Sequence, residues 1–365
     1  MLENNIIFLN LKKPKSLFKF VIFVLTVLSG ILSGVMGVAG PTTNTLFIAW
    51  LFVPAPIIFL ILLWKKPSGW MKTASKIYIF LSIAMTILLL LAVAWSGSET
   101  ALHPSPASEE ETLSMYPQLE EKIESVSFLA NDGVRLEGWM ATRETDKAVI
   151  LLHGYTGDRT DMLPQANMLF DAGFTVLLFD FRHRGESEGD FVSFGYYEKQ
   201  DVLAAVNLLE EIGISSIGII GLSNGGATSI LFAAENPGRI KALVVDSAFK
   251  SLDSAVSQSF THFVGLPAFP FSPITVWFSE LRTGLNRNDV IPEEAIMNIT
   301  NTPLLIIHGL EDETISFADS ESIYLKANQP KRLWLVQKAG HAEASEVAEE
   351  EYRSQIVGFF TKNLK

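Results

Sequence analysis

The chain has 365 residues, enough for one large catalytic domain and a second unit, and its hydrophobic content of 48% predicts membrane segments. It contains no cysteine, which excludes disulfides, thiolate catalysis and cysteine-ligated metal sites. Residues 1–96 carry eight lysines and one glutamate (+7), whereas the remainder carries 20 basic and 39 acidic residues (−19), a balance that argues against nucleic-acid binding.

Three charge-free apolar stretches near the N-terminus each have the length of a membrane-spanning helix. They cover residues 20–39, 45–64 and 77–95. A helix of about 20 residues crosses a bilayer core of about 30 Å. We therefore predict that residues 1–96 form a membrane anchor with three transmembrane helices. The first stretch could instead be a cleaved signal peptide, since lysines precede it, but its length and the two further spans favour an anchor.

The distribution of lysines predicts the orientation of this anchor. Lysines lie before the first span and between the second and third, so the positive-inside rule places the N-terminus in the cytoplasm. An odd number of spans then places the catalytic domain outside the cytoplasm. The spans contain no ionisable residue, which argues against transport of ions or protons. Residues 97–122 are acidic and contain prolines, and we expect a solvated linker there.

Beyond the linker, short apolar runs alternate with amphipathic stretches. The predicted strands cover 123–130, 134–142, 148–152, 175–179, 217–220, 242–245, 304–307 and 333–336. The predicted helices cover 161–172, 197–212, 227–234, 318–327 and 346–363. The first two strands flank a hairpin signal, Asn131-Asp132-Gly133. The alternation predicts an α/β fold with a doubly wound, mostly parallel sheet over residues 123–365, whose functional groups lie at the carboxyl ends of the strands.

The segment Gly221-Leu222-Ser223-Asn224-Gly225-Gly226 lies between a predicted buried strand and a predicted buried helix. A serine on so tight a turn, flanked by glycines, is typical of a nucleophile elbow. Ser223 is therefore the predicted nucleophile. A serine hydroxyl is a weak nucleophile and needs an adjacent base.

His341 and Asp312 are the predicted base and acid, because each follows a predicted strand and the chain order is serine, acid, histidine. His341 would take the proton of Ser223, and Asp312 would orient the imidazole. Read alone, His341 could be a solvated loop residue. Other acids that could take the place of Asp312 are Glu311, Glu313 and Asp289.

An oxyanion needs preorganised N–H donors. We expect them to be the backbone N–H groups of Asn224, directly after the nucleophile, and of Tyr155, in the loop after a predicted strand. His153 and His308 each end a strand beside a glycine, and we predict structural roles for both. The predicted site uses no cofactor and no metal.

Together these residues resemble the α/β-hydrolase family over about two-thirds of the chain, and most resemble bacterial serine hydrolases of the esterase, serine aminopeptidase-like and acyl-peptidase-like kinds. The motifs that carry the resemblance are His153-Gly154, Asp180–Gly189, Gly221–Gly225, Val245-Asp246-Ser247, His308-Gly309-x-x-Asp312 and Gly340-His341. One departure lies in the second motif, where the family has Gly-His and this chain has His183-Arg184.

Residues 248–300 interrupt the alternation and are rich in aromatic residues and proline. The resemblance implies a cap over the active site, and an aromatic lining would favour an apolar acyl or aryl group. The aromatic side chains could equally pack the cap onto the sheet. We predict a membrane-anchored hydrolase that cleaves carboxylic esters through an acyl-enzyme. A peptidase or thioesterase would use the same residues, and a membrane scaffold that kept the fold without the chemistry is the alternative from another class.

Overall fold

The computed structural model describes residues 69–105 and 113–365. The chain forms two compact units, one ending at Val93 and the other extending from Ala94 to Lys365. Helix α1, Gly69–Leu102, contributes to both, since its last turns belong to the second unit. The predicted spans 20–39 and 45–64 lie outside the described residues, whereas the predicted span 77–95 lies within α1.

Within the described part of the chain, one helical stretch, Ile83–Leu102, is long and apolar enough to cross a membrane. It continues beyond the predicted end at residue 95 and into the segment predicted as a linker. The reason is tertiary packing: Ala94, Ser98 and Leu102 are spaced four residues apart and are all buried in the second unit. One face of the last helical turns is therefore part of the second unit.

The second unit contains one eight-stranded sheet, and the predicted mostly parallel α/β arrangement is confirmed. The strands are β1 Ile123–Leu129, β2 Arg135–Ala141, β3 Lys147–Leu152, β4 Thr175–Phe179, β5 Ser216–Leu222, β6 Ala242–Asp246, β7 Leu304–Gly309 and β8 Lys331–Val336. Their order is β1-β2-β4-β3-β5-β6-β7-β8. The first two strands form the predicted antiparallel hairpin, β2 pairs antiparallel with β4, and the remaining pairs are parallel.

The helices after α1 follow the predicted order, with local differences. They are α2 Pro117–Glu120, α3 Leu163–Asp171, α4 Glu198–Glu211, α5 Asn224–Glu235, α6 Leu252–Ser259, α7 Ala268–Thr283, α8 Pro292–Ala295, α9 Phe317–Lys326, α10 Ala344–Val347 and α11 Glu349–Asn363. The predicted helix 161–172 begins as a 3-10 turn, and α3 starts where Pro164 occupies the first turn, a position that needs no N–H donor. The predicted helix 346–363 is interrupted at Ala348, which has a non-helical backbone.

Both faces of the sheet are buried. Successive residues of β3 point to opposite faces, so that Ile150 and Leu151 belong to two separate hydrophobic clusters. One cluster includes residues of α4 and α5, and the other includes residues of α3 and α11. A parallel sheet covered by helices on both faces places the ends of its strands at the surface, where loops can present side chains.

The region between β6 and β7, predicted as a cap, contains α6, a π-helical turn at Phe260–Val264, α7 and α8. Its aromatic residues are divided between two environments. Phe249 and Phe260 are buried, whereas Phe263 and Phe269 are exposed. Packing against the rest of the domain therefore explains the positions of Phe249 and Phe260 but not those of Phe263 and Phe269.

Candidate active site

Ser223 lies on the turn between β5 and α5, with φ of 52° and ψ of −112°. A positive φ is uncommon for a residue with a side chain, so the surrounding turn must enforce it. A Cβ at Gly221 would lie 2.4 Å from the carbonyl oxygen of Gly225, and a Cβ at Gly225 would lie 2.3 Å from the carbonyl oxygen of Leu152. Glycine is therefore required on both sides of the serine by close backbone approach.

The structure brings the three residues predicted from the sequence together in one hydrogen-bonded series. The Nε2 atom of His341 lies 3.0 Å from the Oγ atom of Ser223. The Nδ1 atom of the same ring lies 2.7 Å from the Oδ2 atom of Asp312. Such a series can carry a proton from the hydroxyl to the imidazole while the carboxylate holds the ring in place.

The other acids proposed from the sequence do not share this environment. Glu311, Glu313 and Asp289 are exposed to solvent, whereas Asp312 is buried. The second carboxylate oxygen of Asp312, Oδ1, accepts hydrogen bonds from the backbone N–H groups of Thr314 (2.9 Å) and Ile315 (2.8 Å). These bonds fix the carboxylate so that Oδ2 faces the imidazole.

A second histidine contacts the same carboxylate. The Nε2 atom of His308 lies 3.1 Å from Oδ2 of Asp312 and 2.9 Å from the carbonyl oxygen of Ile315. Burial disfavours a charged His308, but the hydrogen bonds to Asp312 and Ile315 outweigh it and raise the pKa of this histidine. Burial likewise disfavours the Asp312 carboxylate, yet hydrogen bonds with His308 and His341 hold its pKa well below the usual range. Asp312 therefore stays ionised.

The expected structural role of His308 agrees with its backbone bond, but its contact with Asp312 was not predicted. The sequence carried a signal for it, since His308 and Asp312 are four residues apart in one strand-end motif. His308 Nε2 and His341 Nδ1 therefore contact the same oxygen, Oδ2, while backbone N–H groups occupy Oδ1.

Asp246 and Ser247 support the loop that carries His341. The hydroxyl of Ser247 donates to Oδ1 of Asp246 (2.9 Å) and accepts from the backbone N–H of Ala342 (3.3 Å). The hydroxyl of Tyr352 donates to the other oxygen of Asp246 (3.1 Å). Burial raises the pKa of Asp246. The sequence motif Val245-Asp246-Ser247 gave no indication of this support, because its contacts come from distant parts of the chain.

The two predicted N–H donors lie on chain segments next to the serine. Asn224 follows Ser223 directly at the start of α5, where the helix dipole is positive. The loop of Tyr155 is adjacent, since a Cβ at Gly154 would lie 3.8 Å from the Cβ of Ser223. Among the described residues, neither backbone N–H of Tyr155 and Asn224 has a hydrogen-bond acceptor.

The side chain of Tyr155 is held by the end of α1. Its hydroxyl donates to the carbonyl oxygens of Ala101 (2.8 Å) and Thr100 (3.0 Å). Its ring stacks on Phe194 with a centroid distance of 5.1 Å. Burial raises the pKa of the phenol, so it remains a neutral donor. Sequence reasoning used only the backbone of Tyr155 and missed this attachment.

Arg184 fixes the same loop from the other side. Its buried guanidinium donates to the carbonyl oxygens of Gly157 (3.0 Å), Pro104 (2.9 Å) and Thr156. The neighbouring His183 makes an edge-to-face contact with His103 at 5.2 Å. Both residues that depart from the family motif therefore contact residues 103–104, directly after α1.

His153 bonds to the backbone on both sides of its ring. Its Nδ1 atom lies 2.7 Å from the carbonyl oxygen of Gly154, and its Nε2 atom accepts from the backbone N–H of Phe181 (3.0 Å). Burial lowers its pKa to about 4. A neutral ring thus ties the loop before Tyr155 to the strand end at Phe181. Within the described residues, no group of three or more metal-ligating side chains is placed to hold a metal ion.

Comparison with known proteins gives consistent results for the fold. Residues 147–269 match the family model of the alpha/beta hydrolase fold. The uncharacterized protein YqkD of Bacillus subtilis is 30% identical over 247 residues, which are 66% of this chain and 80% of YqkD. YfhR of Escherichia coli K12, also uncharacterized, is 30% identical over 253 residues, 66% of this chain and 81% of YfhR.

Among solved structures, the Pyrococcus furiosus esterase Pf2001 is similar to this chain with a TM-score of 0.61 and 28% identity. The match covers 73% of this chain and 99% of the esterase. YqkD reaches 30% identity over four-fifths of its length, and the order of the strands and the turn at Ser223 agree with the matched family model. The chain belongs to the α/β-hydrolase family.

Proposed function

We propose that this hydrolase cleaves carboxylic esters through an acyl-enzyme formed on Ser223. The observation that carries the proposal is the hydrogen-bonded series from the Ser223 hydroxyl through His341 to the buried, ionised Asp312. A serine that shares its proton with an oriented imidazole is activated for attack on an acyl carbon.

In the proposed first step, Oγ of Ser223 attacks the ester carbonyl while Nε2 of His341 takes the hydroxyl proton. The tetrahedral intermediate then expels the alcohol, which leaves with the proton that His341 returns to it. A water molecule attacks the acyl-enzyme in the same way, releasing the acid and restoring Ser223. Throughout, Asp312 accepts from Nδ1 and stabilises the imidazolium.

The negative charge on the carbonyl oxygen needs donors, and we assign this role to the backbone N–H groups of Tyr155 and Asn224. Their proximity to Ser223 and their lack of acceptors among the described residues support the assignment. Removal of one such donor costs roughly 10²- to 10³-fold in kcat in well-studied enzymes. The contacts of Tyr155 and Arg184 with residues 100–104 would keep this loop in position.

The likeness to the esterase Pf2001 supports an ester over an amide or a thioester as the bond that is cleaved. The same residues could carry out peptide or thioester cleavage, because the acyl-enzyme is common to all three reactions. A direct comparison of ester, thioester and peptide substrates therefore belongs to the test.

We further propose that residues 1–96 anchor the enzyme in a membrane through three helices, with the hydrolase domain outside the cytoplasm. The apolar stretch of α1 supports the third span. The lysine distribution supports the orientation. A reporter fused after Lys365 tests this topology: activity confined to the cytoplasm would contradict it, whereas periplasmic or surface activity is expected.

The central experiment is labelling of the full chain with a fluorophosphonate probe, followed by turnover of p-nitrophenyl esters. We expect the wild type to be labelled and the Ser223→Ala variant to lose both labelling and turnover. The Ser322→Ala variant, altered on α9, is the matched control and should behave as the wild type. Folded wild-type protein that takes up no probe would refute the proposal.

A further inference from the structure

Helix α7 of the cap exposes apolar side chains and buries polar ones, the reverse of the usual arrangement. Its exposed residues Pro273, Trp277 and Leu281 recur every four positions, and Phe269, at a kink with a non-helical backbone, is exposed before them. Its buried residues are Ser272, Thr275, Val276 and Ser279, three of which carry hydroxyl groups. A helix that borders water buries its apolar face and exposes polar side chains. The outer face of α7 is therefore unsuited to water.

The exposure of this face is large. Phe269 is 80% exposed, Leu281 66% and Trp277 48%. Phe263 and Val264, on the preceding π-helical turn, are exposed as well. Single exposed apolar residues are ordinary, but Trp277 and Leu281 lie one turn apart on the same face of α7, and grouped exposed apolar residues mark a binding face. We call the group Phe263, Val264, Phe269, Trp277 and Leu281 the cap face.

The cap face lies in the longest uncharged part of the second unit. No Asp, Glu, Lys or Arg occurs between Asp253 and Glu280, and the one titratable side chain in between is His262. Charges return at the end of α7, where Glu280 bonds Arg287 and Arg282 bonds Glu99. An uncharged apolar surface with charges at its border is typical of segments that lie in the interfacial layer of a membrane.

The inner face of α7 packs on the last turns of α1 through small residues. The hydroxyl of Thr275 donates to the carbonyl oxygen of Ala94 (3.2 Å). A Cβ at Gly97 would lie 2.8 Å from a ring carbon of Phe260 and 3.0 Å from the hydroxyl oxygen of Thr275. Small residues with hydroxyl-to-backbone hydrogen bonds are typical of helix contacts in membranes.

The exposed Trp95 marks the other edge of this contact. Its ring packs edge-to-face on Phe278 at 5.3 Å and under the guanidinium of Arg282 at 4.8 Å. Indole rings favour the boundary between the hydrocarbon and the headgroups, and arginine reaches the headgroups from there. Trp95 and Trp277 thus supply two interfacial side chains on one surface of the second unit.

Chain connectivity limits the distance between this surface and a membrane. The membrane-compatible stretch Ile83–Leu102 includes the very turns on which α7 packs. Ala94 and Gly97, which face α7, belong to this same stretch. A bilayer that meets this stretch at the turns on which α7 packs is within reach of the cap face.

We propose that the cap face is a bilayer-docking surface, inserted at the boundary between headgroups and acyl chains. This proposal rests on the proposed membrane anchor, which the reporter fusion tests separately, and it does not depend on the chemistry of Ser223. It commits to lipid as the occupant because every member of the cap face is hydrocarbon or indole, because the border is charged, and because the contacting helix continues into the membrane-compatible stretch.

The absence of cysteine permits a direct test on the full chain. Phe269, Trp277 and Leu281 are replaced one at a time by cysteine and labelled with a nitroxide, and the protein is reconstituted in vesicles of phosphatidylcholine and phosphatidylglycerol. Leu325→Cys on α9, at a residue that is 76% exposed and outside the cap, is the matched control. Collision with oxygen, collision with a water-soluble nickel complex and quenching by doxyl-labelled lipid are measured, and circular dichroism verifies folding.

At the three cap positions we expect high collision with oxygen, loss of collision with nickel and strong lipid quenching, with the reverse at residue 325. If the nickel complex collides with the labels at the cap positions as often as with the label at residue 325, the cap face lies in water and the proposal is overturned. Labels shielded from both nickel and doxyl lipid would show that protein covers the face, either residues 1–68 or a second copy, and would overturn it as well.

Discussion

The buried guanidinium of Arg184 donates a hydrogen bond of 2.9 Å to the carbonyl oxygen of Pro104, a residue 80 positions earlier in the chain. The same side chain donates to Gly157 and Thr156 in the loop of Tyr155. One residue that departs from the family motif therefore connects the segment after α1 with the proposed oxyanion loop.

Replacement of Arg184 by methionine should destabilise the hydrolase domain and slow fluorophosphonate labelling. Three carbonyl groups, two of them on the buried residues Gly157 and Pro104, would lose a charged donor, and we expect the free energy of unfolding to fall by about 3 kcal/mol. Urea denaturation and the labelling rate measure the two effects. Arg332→Met, at an exposed position of β8, is the control and should change neither. A free energy of unfolding within about 1 kcal/mol of the wild-type value would contradict this role of Arg184.

Asp312→Asn should lower kcat by roughly 10⁴-fold with little change in KM. The amide cannot replace both carboxylate oxygens, so His341 would adopt the wrong tautomer or lose its orientation. Steady-state hydrolysis of a p-nitrophenyl ester measures the loss. The exposed neighbours Glu311 and Glu313 are the matched controls, and their glutamine variants should keep wild-type rates. A larger loss from either glutamine variant would transfer the role of the acid to that residue.

The contribution of His153 to the stability of the domain should fall as the pH decreases from about 6.5 to about 4. Its pKa in the folded state is about 4 against 6.5 for the free side chain, so the unfolded chain binds more protons between these values. The contribution of neutral His153 is thus complete above about pH 6.5 and is lost as the pH falls towards 4, by about 2 kcal/mol at about pH 5. The physical cause is burial, together with Nε2 accepting from the N–H of Phe181.

Urea denaturation at several pH values measures this loss, and the His153→Asn variant should lack its share of the slope. His262→Asn, which alters an exposed histidine, should keep the slope of the wild type. The assignment to His153 would be wrong if its replacement left the slope unchanged.

Gly225→Ala should disrupt the elbow. The new Cβ would lie 2.3 Å from the carbonyl oxygen of Leu152, and since backbone cannot rotate away as a side chain can, we expect a cost of about 3 kcal/mol and loss of labelling. Gly358→Ala, at an exposed position of α11 with nothing near the added Cβ, should instead raise the free energy of unfolding by about 0.5 to 1 kcal/mol. Thermal unfolding and probe labelling distinguish the two; equal behaviour of both variants would contradict the steric account.

The parts of the fold that local pattern determines could be predicted from the sequence. The apolar runs predicted the strands, the glycines around Ser223 predicted the turn, and positions at strand ends indicated Asp312 and His341. Contacts between distant segments gave no such signal. Residues 96–102 are polar and locally favour a linker, yet they are helical because Ser98 and Leu102 are buried against the domain. The contact of Arg184 with Pro104 likewise depends on the folded chain.

The hydrogen bonds of Tyr155 to Thr100 and Ala101 limit where the hydrolase domain can be joined to another sequence. A gene fusion that joined another sequence just before β1 would keep every strand of the sheet and still remove two acceptors of the Tyr155 hydroxyl. It would also remove the carbonyl that Arg184 binds at Pro104. The second unit from Ala94 onward keeps all of these contacts, and its first residues belong to α1. In this chain, domain shuffling cannot separate the hydrolase from the end of that helix without loosening the loop beside Ser223.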